Sequence, residues 1–212
     1  MMDYERAIWS AMDTVIPTVE RRGCSFHFIQ ALIRRIQQEG LARAYVEDSG
    51  SREVLKQLLA LCYLPADWIK TLFPQLEKKC TTRNLVAFAV YMRTTWIEST
   101  MWPPSKWSVY NLSVRTNNHL EGWHREFNDL TRRKTPFYLL IQKMHEVSRT
   151  LDLQVYLLMD GLLTQRLHTK YAAVNKALHT VWIQFSSGAI GPLDLLKKCA
   201  TLYSPTTIQI NH

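Results

Sequence analysis

The chain has 212 residues, 47% of them hydrophobic, which suits one sizeable domain or two small ones and argues against a globally disordered protein. Lysine and arginine total 26 against 18 aspartates and glutamates, a formal net charge of +8 that is compatible with a polyanionic partner such as nucleic acid. No apolar run is long enough to span a bilayer, and the charged N-terminus does not have the apolar stretch of a signal peptide, so no membrane partner is expected.

The cysteines and the scarcity of turn residues narrow the fold class. Cys24, Cys62, Cys80 and Cys199 do not have the spacing of a disulfide framework, and without an export signal they indicate reduced thiols of an intracellular protein. With only 7 glycines and 8 prolines, the composition favours long helices over a many-turned β fold.

The first forty residues predict a helix, a strand and a second helix. The first helix has an apolar stripe and ends before Pro17, and Asp3 can serve as its N-cap. The members of this stripe are Ala7, Ile8, Ala11, Met12 and Val15. Alternation of Cys24, Phe26 and Phe28 predicts a short strand. A helix follows, with Leu32 and Ile36 inside and Gly40 as its C-cap.

Residues 41 to about 100 have helical periodicity throughout, interrupted at Pro65. Pro103-Pro104 breaks this region, and a short extended piece is predicted over 107–112. Beyond residue 134, Thr135-Pro136 predicts a helix start, and the helical pattern continues to Leu163 with a break near Leu151. Two further helices are predicted, over 171–185 and after Pro192.

The stretch from Arg115 to Asn128 predicts an amphipathic helix with a functional face. Its apolar stripe consists of Leu120, Trp123, Phe127 and Leu130. The opposite face carries Glu121, Arg125, Asn128 and Arg132, which suits a carboxylate held near a phosphate backbone. Asn118 and Glu121 also have the spacing of a capping box, with asparagine in place of the usual serine or threonine. The two interpretations do not exclude each other.

Cys24 and His27 form a C-x-x-H pair, whose thiolate and imidazole could share one metal ion. A structural zinc needs four ligands, and no second pair stands at a matching spacing. The pattern therefore favours a packed cysteine and a hydrogen-bonded histidine over a Zn²⁺ site.

Three blocks together resemble the Mutator-like element (MULE) transposases, in the form found in animal genomes. They are Asp3-Tyr4-Glu5-x-Ala7, then Gly23-Cys24-x-Phe26-His27-x-x-Gln30-Ala31-x-x-Arg34-x-x-Gln37-x-x-Gly40-Leu41, then Arg115-Thr116-Asn117-Asn118-x-x-Glu121-Gly122-Trp123-His124-x-x-Phe127-Asn128. Their order and spacing agree with the family, and the resemblance covers nearly the whole chain.

The resemblance implies a mostly α chain: a helical insertion and a C-terminal helical bundle attached to a remnant of a ribonuclease-H-like α/β domain. In this division, residues 1–40 are the remnant, with the second Asp, the C-x-x-H strand and a helix. Residues 41–112 are the insertion, 113–134 the Glu-bearing helix of the core and 135–212 the C-terminal helices.

The resemblance also implies roles for particular residues. Asp3 matches the second carboxylate of an Asp-Asp-Glu triad and Glu121 the third, and together they would ligate Mg²⁺ for two-metal phosphoryl transfer on DNA. Cys24 and His27 match the family's C-x-x-H signature. Candidate DNA contacts are Arg115, Asn117, Asn118, His124, Arg125, Asn128, Arg132 and Arg133. A nuclear location is implied by the same resemblance.

The first Asp of the triad has no counterpart in this sequence, and neither do the strands that would carry it. The chain is therefore expected to be a truncated transposase that does not cut DNA alone and binds it weakly, without sequence preference. A non-enzymatic DNA- or protein-binding remnant of a domesticated transposase is the alternative, and a product without function is a third.

Overall fold

The computed structural model describes residues 1–131, 135–159, 169–203, 205 and 208. This part of the chain is mostly helical, as predicted. The helices are α1 (Arg6–Val15), α2 (Ser25–Gln38), α3 (Ala42–Glu47), α4 (Ser49–Ala60), α5 (Ala66–Glu77), α6 (Arg83–Met92), α7 (Pro104–Trp107), α8 (Asn118–Thr131), α9 (Phe137–Met159), α10 (Thr169–Ser186) and α11 (Pro192–Tyr203). A 3₁₀ turn over Leu61–Tyr63 follows α4, and a π-helical turn over Arg93–Ile97 follows α6. The described residues contain no strand, only an isolated parallel bridge between Met2 and Gly23.

The chain divides into two compact units, and each is described separately. Unit 1 comprises Met1–Asn117 together with Val174–His212, and unit 2 comprises Asn118–Ala173. The hydrophobic core of unit 1 crosses the segment boundaries predicted at residues 40 and 112, because side chains from both ends of the chain share it. Its members include Phe28, Leu32, Leu58, Leu72, Phe88, Trp107, Trp182 and Leu195.

The end of the chain completes the core of unit 1. Leu195, Leu196 and Cys199 of α11 are fully buried in the same cluster as Leu58 of α4. The indole Nε1 of buried Trp182 donates a hydrogen bond of 3.0 Å to the carbonyl of Tyr63. Residues more than a hundred positions apart therefore form one packed interior.

The predicted strand at Cys24–Phe28 is wrong. Cys24 is the N-cap of α2, and Ser25 begins the helix. Cys24, Phe28, Leu32 and Ile36 are all fully buried, whereas Phe26 is 48% exposed. The apolar spacing is therefore i, i+4 from Cys24 onward, and the two-residue alternation was the start of a helical stripe.

The predicted C-cap of α2 is confirmed at Gly40, which has a φ of +68°. Its N–H bonds the carbonyl of Gln37 at 3.0 Å, and the N–H of Leu41 bonds that of Ile36 at 2.9 Å. These two bonds form a Schellman motif, which satisfies carbonyls at the helix end. Ile36 and Leu41, both buried, provide the hydrophobic contact that accompanies it.

Helix α1 ends before Pro17 as predicted, but its predicted apolar stripe is not buried. Ile8 is 43% and Val15 74% exposed, and the buried residue of α1 is Trp9. The prediction that Asp3 caps α1 is also wrong, because the helix begins at Arg6 with Glu5 at the N-cap and no side-chain cap bond.

The helical region after residue 41 is confirmed, and Asp48 caps α4 by accepting from the N–H groups of Gly50 and Ser51. The extended piece predicted over 107–112 is instead the end of α7 followed by an irregular stretch. The N–H of Val109 bonds the carbonyl of Cys62 at 2.7 Å, and the hydroxyl of Ser108 bonds that of Leu64 at 2.6 Å. These bonds attach the segment that precedes Arg115 to the 3₁₀ turn after α4.

Unit 2 contains α8, α9 and the first residues of α10. Helix α8 begins at Asn118, and on its predicted apolar stripe the rings of Trp123 and Phe127 stack with centroids 5.3 Å apart. Helix α9 runs unbroken from Phe137 to Met159, so the break predicted near Leu151 is absent. Across the residues that the structure describes, no helix is long and apolar enough to cross a membrane.

Candidate functional site around Asp3

The backbone around Asp3 is fixed by hydrogen bonds to neighbouring segments. The indole Nε1 of Trp9 donates to the carbonyl of Asp3 at 2.6 Å. Met2 pairs in parallel with Gly23: its N–H bonds the carbonyl of Arg22 at 2.9 Å, and its carbonyl accepts from Cys24 at 2.8 Å. The residue after Met2 is therefore held at a defined position beside the start of α2.

An aromatic cluster packs around Tyr4. Its ring meets Trp96 and Trp102 edge to face, with centroids 4.8 and 5.8 Å away. The Tyr4 hydroxyl is buried and has no hydrogen-bond partner among the described residues. Burial raises the pKa of this hydroxyl well above its ordinary value.

Gly23 explains why the chain can pass so close to Tyr4. A Cβ atom at position 23 would lie 2.3 Å from the hydroxyl oxygen of Tyr4 and 2.5 Å from two of its ring carbons. No side chain other than hydrogen fits there without displacing the ring. The glycine of the second sequence block therefore makes room for the residue that follows Asp3.

The side chain of Asp3 meets residues from the other two sequence blocks. The amide Nδ2 of Asn117 donates to Oδ1 of Asp3 at 2.7 Å, and Nδ1 of His27 lies 2.8 Å from the same oxygen. The Asp3 side chain is 46% exposed and that of His27 21% exposed, so the carboxylate remains accessible to solvent. We call these three residues the Asp3 cluster.

The segment that carries Asn117 is attached directly to the start of α2. The N–H and the hydroxyl of Ser25 both donate to the carbonyl of Arg115, at 3.0 and 2.9 Å. The N–H of Gly23 bonds the carbonyl of Lys106 at 2.7 Å. These bonds bring residues about ninety positions apart into one local structure.

Arg115 itself is occupied within unit 1. Its guanidinium hydrogen-bonds the Asn175 side-chain oxygen and donates to the carbonyl of Leu112 at 3.2 Å. The Tyr203 hydroxyl lies 3.5 Å away, and the guanidinium carbon is 5.7 Å from the ring centre of Trp182. Arg115 thus joins the site to α10 and α11, and its predicted DNA contact stays a prediction.

The two members of the C-x-x-H pair lie in different surroundings. Cys24 is fully buried, whereas His27 is partly exposed and contacts Asp3. This arrangement fits the packed cysteine and partnered histidine that the spacing favoured.

None of the four cysteines forms a disulfide, as the scattered spacing predicted, and all four are buried. Burial raises the pKa of Cys62 well above its ordinary value, that of Cys199 to about 12 and that of Cys80 to about 11. A buried thiol with a raised pKa is a poor nucleophile at neutral pH.

The remaining predicted site residues belong to unit 2. Asn118, His124, Arg125 and Asn128 are exposed on α8. Arg132 and Arg133 lie outside the described residues, as does the side chain of Glu121. The proposed approach of Glu121 to Asp3, and the capping box of Asn118 and Glu121, therefore stay predictions.

The carboxylate of the Asp3 cluster is the kind of ligand that suits a hard divalent cation. A half-exposed carboxylate is a ligand that Mg²⁺ prefers, usually with several waters retained. The second amide atom of Asn117, Oδ1, is buried and without a partner in the described structure, so one further hard acceptor is present. Among the described residues, no group of three or more histidine, cysteine, aspartate or glutamate side chains could hold a metal ion.

Comparison with protein-family models, curated proteins and solved structures finds no significant match to this chain. Function is therefore argued from the site.

Sequence reasoning found Asp3, His27 and Asn117, but it did not assign the contact among them. It also missed Trp9 as the donor that fixes the Asp3 backbone. The sequence did offer one indication: Trp9 is a large aromatic residue six positions after Asp3, and it does not belong to the predicted apolar stripe of α1.

Proposed function

We propose that this chain is part of a MULE-type DNA transposase of the nucleus, in which Asp3 and Glu121 are the second and third carboxylates of the catalytic triad. With two of the three carboxylates, these 212 residues would not cut DNA on their own, and their excess of positive charge would bind it. A transposase of this type cuts and joins DNA strands.

The observation that carries the proposal is the meeting of three separate sequence blocks at one carboxylate. Asp3 comes from the first block, His27 from the second and Asn117 from the third, and all three meet at Oδ1 of Asp3. Their convergence around the residue assigned to catalysis is what a shared active site requires.

A second feature supports a ribonuclease-H-like remnant. Met2 and Gly23 pair in parallel on either side of α1, so the chain passes from extended backbone through a helix to parallel extended backbone. This is the connectivity of a βαβ unit, reduced here to one bridge. The proposal interprets residues 1–40 as the edge of such a domain.

In this proposal, Asp3 and Glu121 would hold Mg²⁺. The metal would activate an attacking water or DNA hydroxyl and stabilise the leaving oxygen of a phosphodiester. The chain's own contribution at Asp3 is orientation: Trp9 fixes its backbone, and Asn117 and His27 contact its side chain.

The metal assignment is tested by replacing Mg²⁺ with Fe²⁺, which generates radicals that cut the nearby backbone in the presence of ascorbate and peroxide. We expect cuts near both Asp3 and Glu121, suppressed by excess Mg²⁺ and lost in Asp3→Asn. Asp67→Asn, at an exposed carboxylate in the first turn of α5, serves as the control and should leave the cuts unchanged. Cuts near neither residue, or near only one, would contradict a shared metal centre.

Asp3 and Glu121 supply two carboxylates of a three-carboxylate site, and this leads to a separate expectation for the activity of these 212 residues. The purified chain should not nick plasmid DNA with Mg²⁺ or Mn²⁺, because transition-state charge would be poorly stabilised by an incomplete metal site. Metal-dependent nicking that Glu121→Gln abolishes would overturn this part of the proposal.

DNA binding follows from the excess of 26 cations over 18 acids and from the polar face of α8. Binding should be weak, independent of sequence and steeply reduced by salt, since each neutralised phosphate releases counterions. Fluorescence anisotropy at several salt concentrations measures this. Binding that does not change with salt, or no binding at low salt, would count against the proposal.

A pair of arginines sharpens the DNA test. Arg125 is exposed on α8, so Arg125→Ala should reduce the slope of log affinity against log salt by about 0.9 if it contacts one phosphate. Arg43 is exposed too, but its guanidinium lies 2.9 Å from Glu47, so Arg43→Ala is a matched control expected to leave the slope unchanged. Equal effects of both variants would argue that α8 is not the DNA-binding face.

A further inference from the structure

Asn117 is the most deeply buried member of the Asp3 cluster. It is only 7% exposed, yet its amide contacts a carboxylate 114 residues earlier in the chain. A carboxylate accepts hydrogen bonds and does not donate, so the Asn117 atom facing it must be the nitrogen. The orientation of this buried amide is thereby set by Asp3.

The backbone beside Asn117 is well anchored. The carbonyl of Arg115, two residues earlier, accepts both hydrogen bonds of Ser25, and the guanidinium of Arg115 bonds Asn175. Asn117 therefore projects from a segment joined to α2 on one side and to α10 on the other. A side chain on such a support can hold its partner at a fixed position.

The contacts to Asp3 are unequal between its two oxygens. Asn117 Nδ2 and His27 Nδ1 both approach Oδ1, at 2.7 and 2.8 Å. Oδ1 accepts a hydrogen bond from Asn117 and lies against Nδ1 of His27, so Oδ2 is the oxygen better placed to bind a cation from solvent.

We propose that Asn117 is a positioning residue for Asp3: its amide nitrogen holds Oδ1 so that the carboxylate offers Oδ2 to a divalent cation. This inference rests on the proposed function, because it takes Asp3 to be a metal ligand. It gives Asn117 a role other than the DNA contact that the sequence predicted. The Oδ1 atom of Asn117 is buried without a hydrogen-bond partner in the described structure, so this amide is held through its nitrogen.

The test is the affinity of the chain for Mn²⁺ alone, measured by the electron paramagnetic resonance signal of the free ion. Asp3→Asn should remove the site. Asn117→Ala should weaken it by about 10-fold or more, which is the usual effect of removing a group that orients a metal ligand. Asn84→Ala, at an exposed asparagine in α6, is the matched control and should bind as the wild type does.

The outcomes distinguish the metal site at Asp3 from the positioning role of Asn117. If the wild type binds no Mn²⁺, or Asp3→Asn binds as well as the wild type, the metal site of the proposed function fails, and the inference fails with it. If Asp3→Asn loses binding but Asn117→Ala binds normally, the metal site stands and only the positioning role is overturned.

A second measurement covers the case in which Asn117→Ala does not fold, judged by circular dichroism. In the wild-type chain, the side-chain amide resonances of Asn117 should shift on addition of Mg²⁺, because their hydrogen-bond acceptor becomes a metal ligand. The Asn84 amide gives the reference within the same spectrum. An Asn117 amide that shifts no more than that of Asn84 would overturn the inference without any variant.

Discussion

Helices α1 and α2 both show regular apolar patterns in the sequence, but only one of them is buried along its pattern. In α2, Phe28, Leu32 and Ile36 are fully buried in the core of unit 1. In α1, Ile8 and Val15 are largely exposed, and the helix is held by Trp9. Helical periodicity thus identifies an amphipathic helix, but it does not say which residues find a partner.

The largest expected effect lies in the buried stripe of α2. Phe28 stacks on Trp107 at 4.6 Å and meets Trp96 edge to face at 4.9 Å, so Phe28→Ala should lower the free energy of unfolding by about 3–5 kcal/mol. The counterpart in α1, Ile8→Ala, should change it by less than about 0.5 kcal/mol. Urea unfolding followed by circular dichroism compares the two, and similar losses would show that α1 is buried after all.

The next effect is at the junction of the two helices. Gly23→Ala should cost about 1–3 kcal/mol, because its Cβ would overlap Tyr4 and force the aromatic cluster to move. Gly122→Ala is the control of opposite sign: nothing lies within 4 Å of a Cβ there, and alanine in a helix should stabilise by about 0.5–1 kcal/mol. Urea unfolding curves of both variants measure these changes. If Gly23→Ala left the free energy of unfolding unchanged, the Tyr4 ring would have to move aside at no cost.

A smaller effect concerns how the two helices end. Helix α2 ends at Gly40 with a φ of +68°, whereas α1 ends at Ile16 with a φ of −136°. Gly40→Ala should therefore cost about 1–2 kcal/mol for the left-handed backbone. Gly122→Ala, inside α8 where nothing lies within 4 Å of a Cβ, is the matched control and should not destabilise the protein. Equal costs at the two glycines would contradict the Schellman motif as the reason for Gly40.

The smallest effect is expected at Tyr4. Tyr4→Phe should leave stability at neutral pH unchanged or slightly raised, since it removes a buried hydroxyl without a partner in the described structure. The raised pKa of Tyr4 means that the unfolded chain ionises first, above about pH 10, so the native state loses stability as pH rises.

The Tyr4→Phe variant should then lose less stability than the wild type between pH 9 and 11, whereas Tyr138→Phe, at an exposed ring, should behave as the wild type does. Unfolding measured at several alkaline pH values tests this. A loss of stability at neutral pH would indicate that the Tyr4 hydroxyl makes a bond.

The predictions that succeeded depended on local chemistry. Gly40 ends a helix because its backbone can adopt positive φ, and Pro17 and Pro192 lie at helix boundaries. Those that failed depended on contacts between distant residues. Asp3 was predicted to cap α1, but its side chain instead contacts Asn117 and His27.

The strand predicted at Cys24–Phe28 failed for a different reason. Five residues can satisfy both a two-residue and a four-residue period, and only the continuation through Leu32 and Ile36 distinguishes them. At the site, the sequence supplied the residues but not their pairing, because a contact between positions 3 and 117 leaves no periodic trace in either segment.

The sharing of one core by α4 and α11 has a consequence for the order of events during synthesis. Leu58 and Tyr63 leave the ribosome more than a hundred residues before Trp182, Leu195 and Leu196, which cover them in the finished protein. Until Trp182, Leu195 and Leu196 have been made, the apolar side chains around Leu58 and Tyr63 lack their final packing partners. The core of unit 1 is therefore completed only once this late segment has emerged.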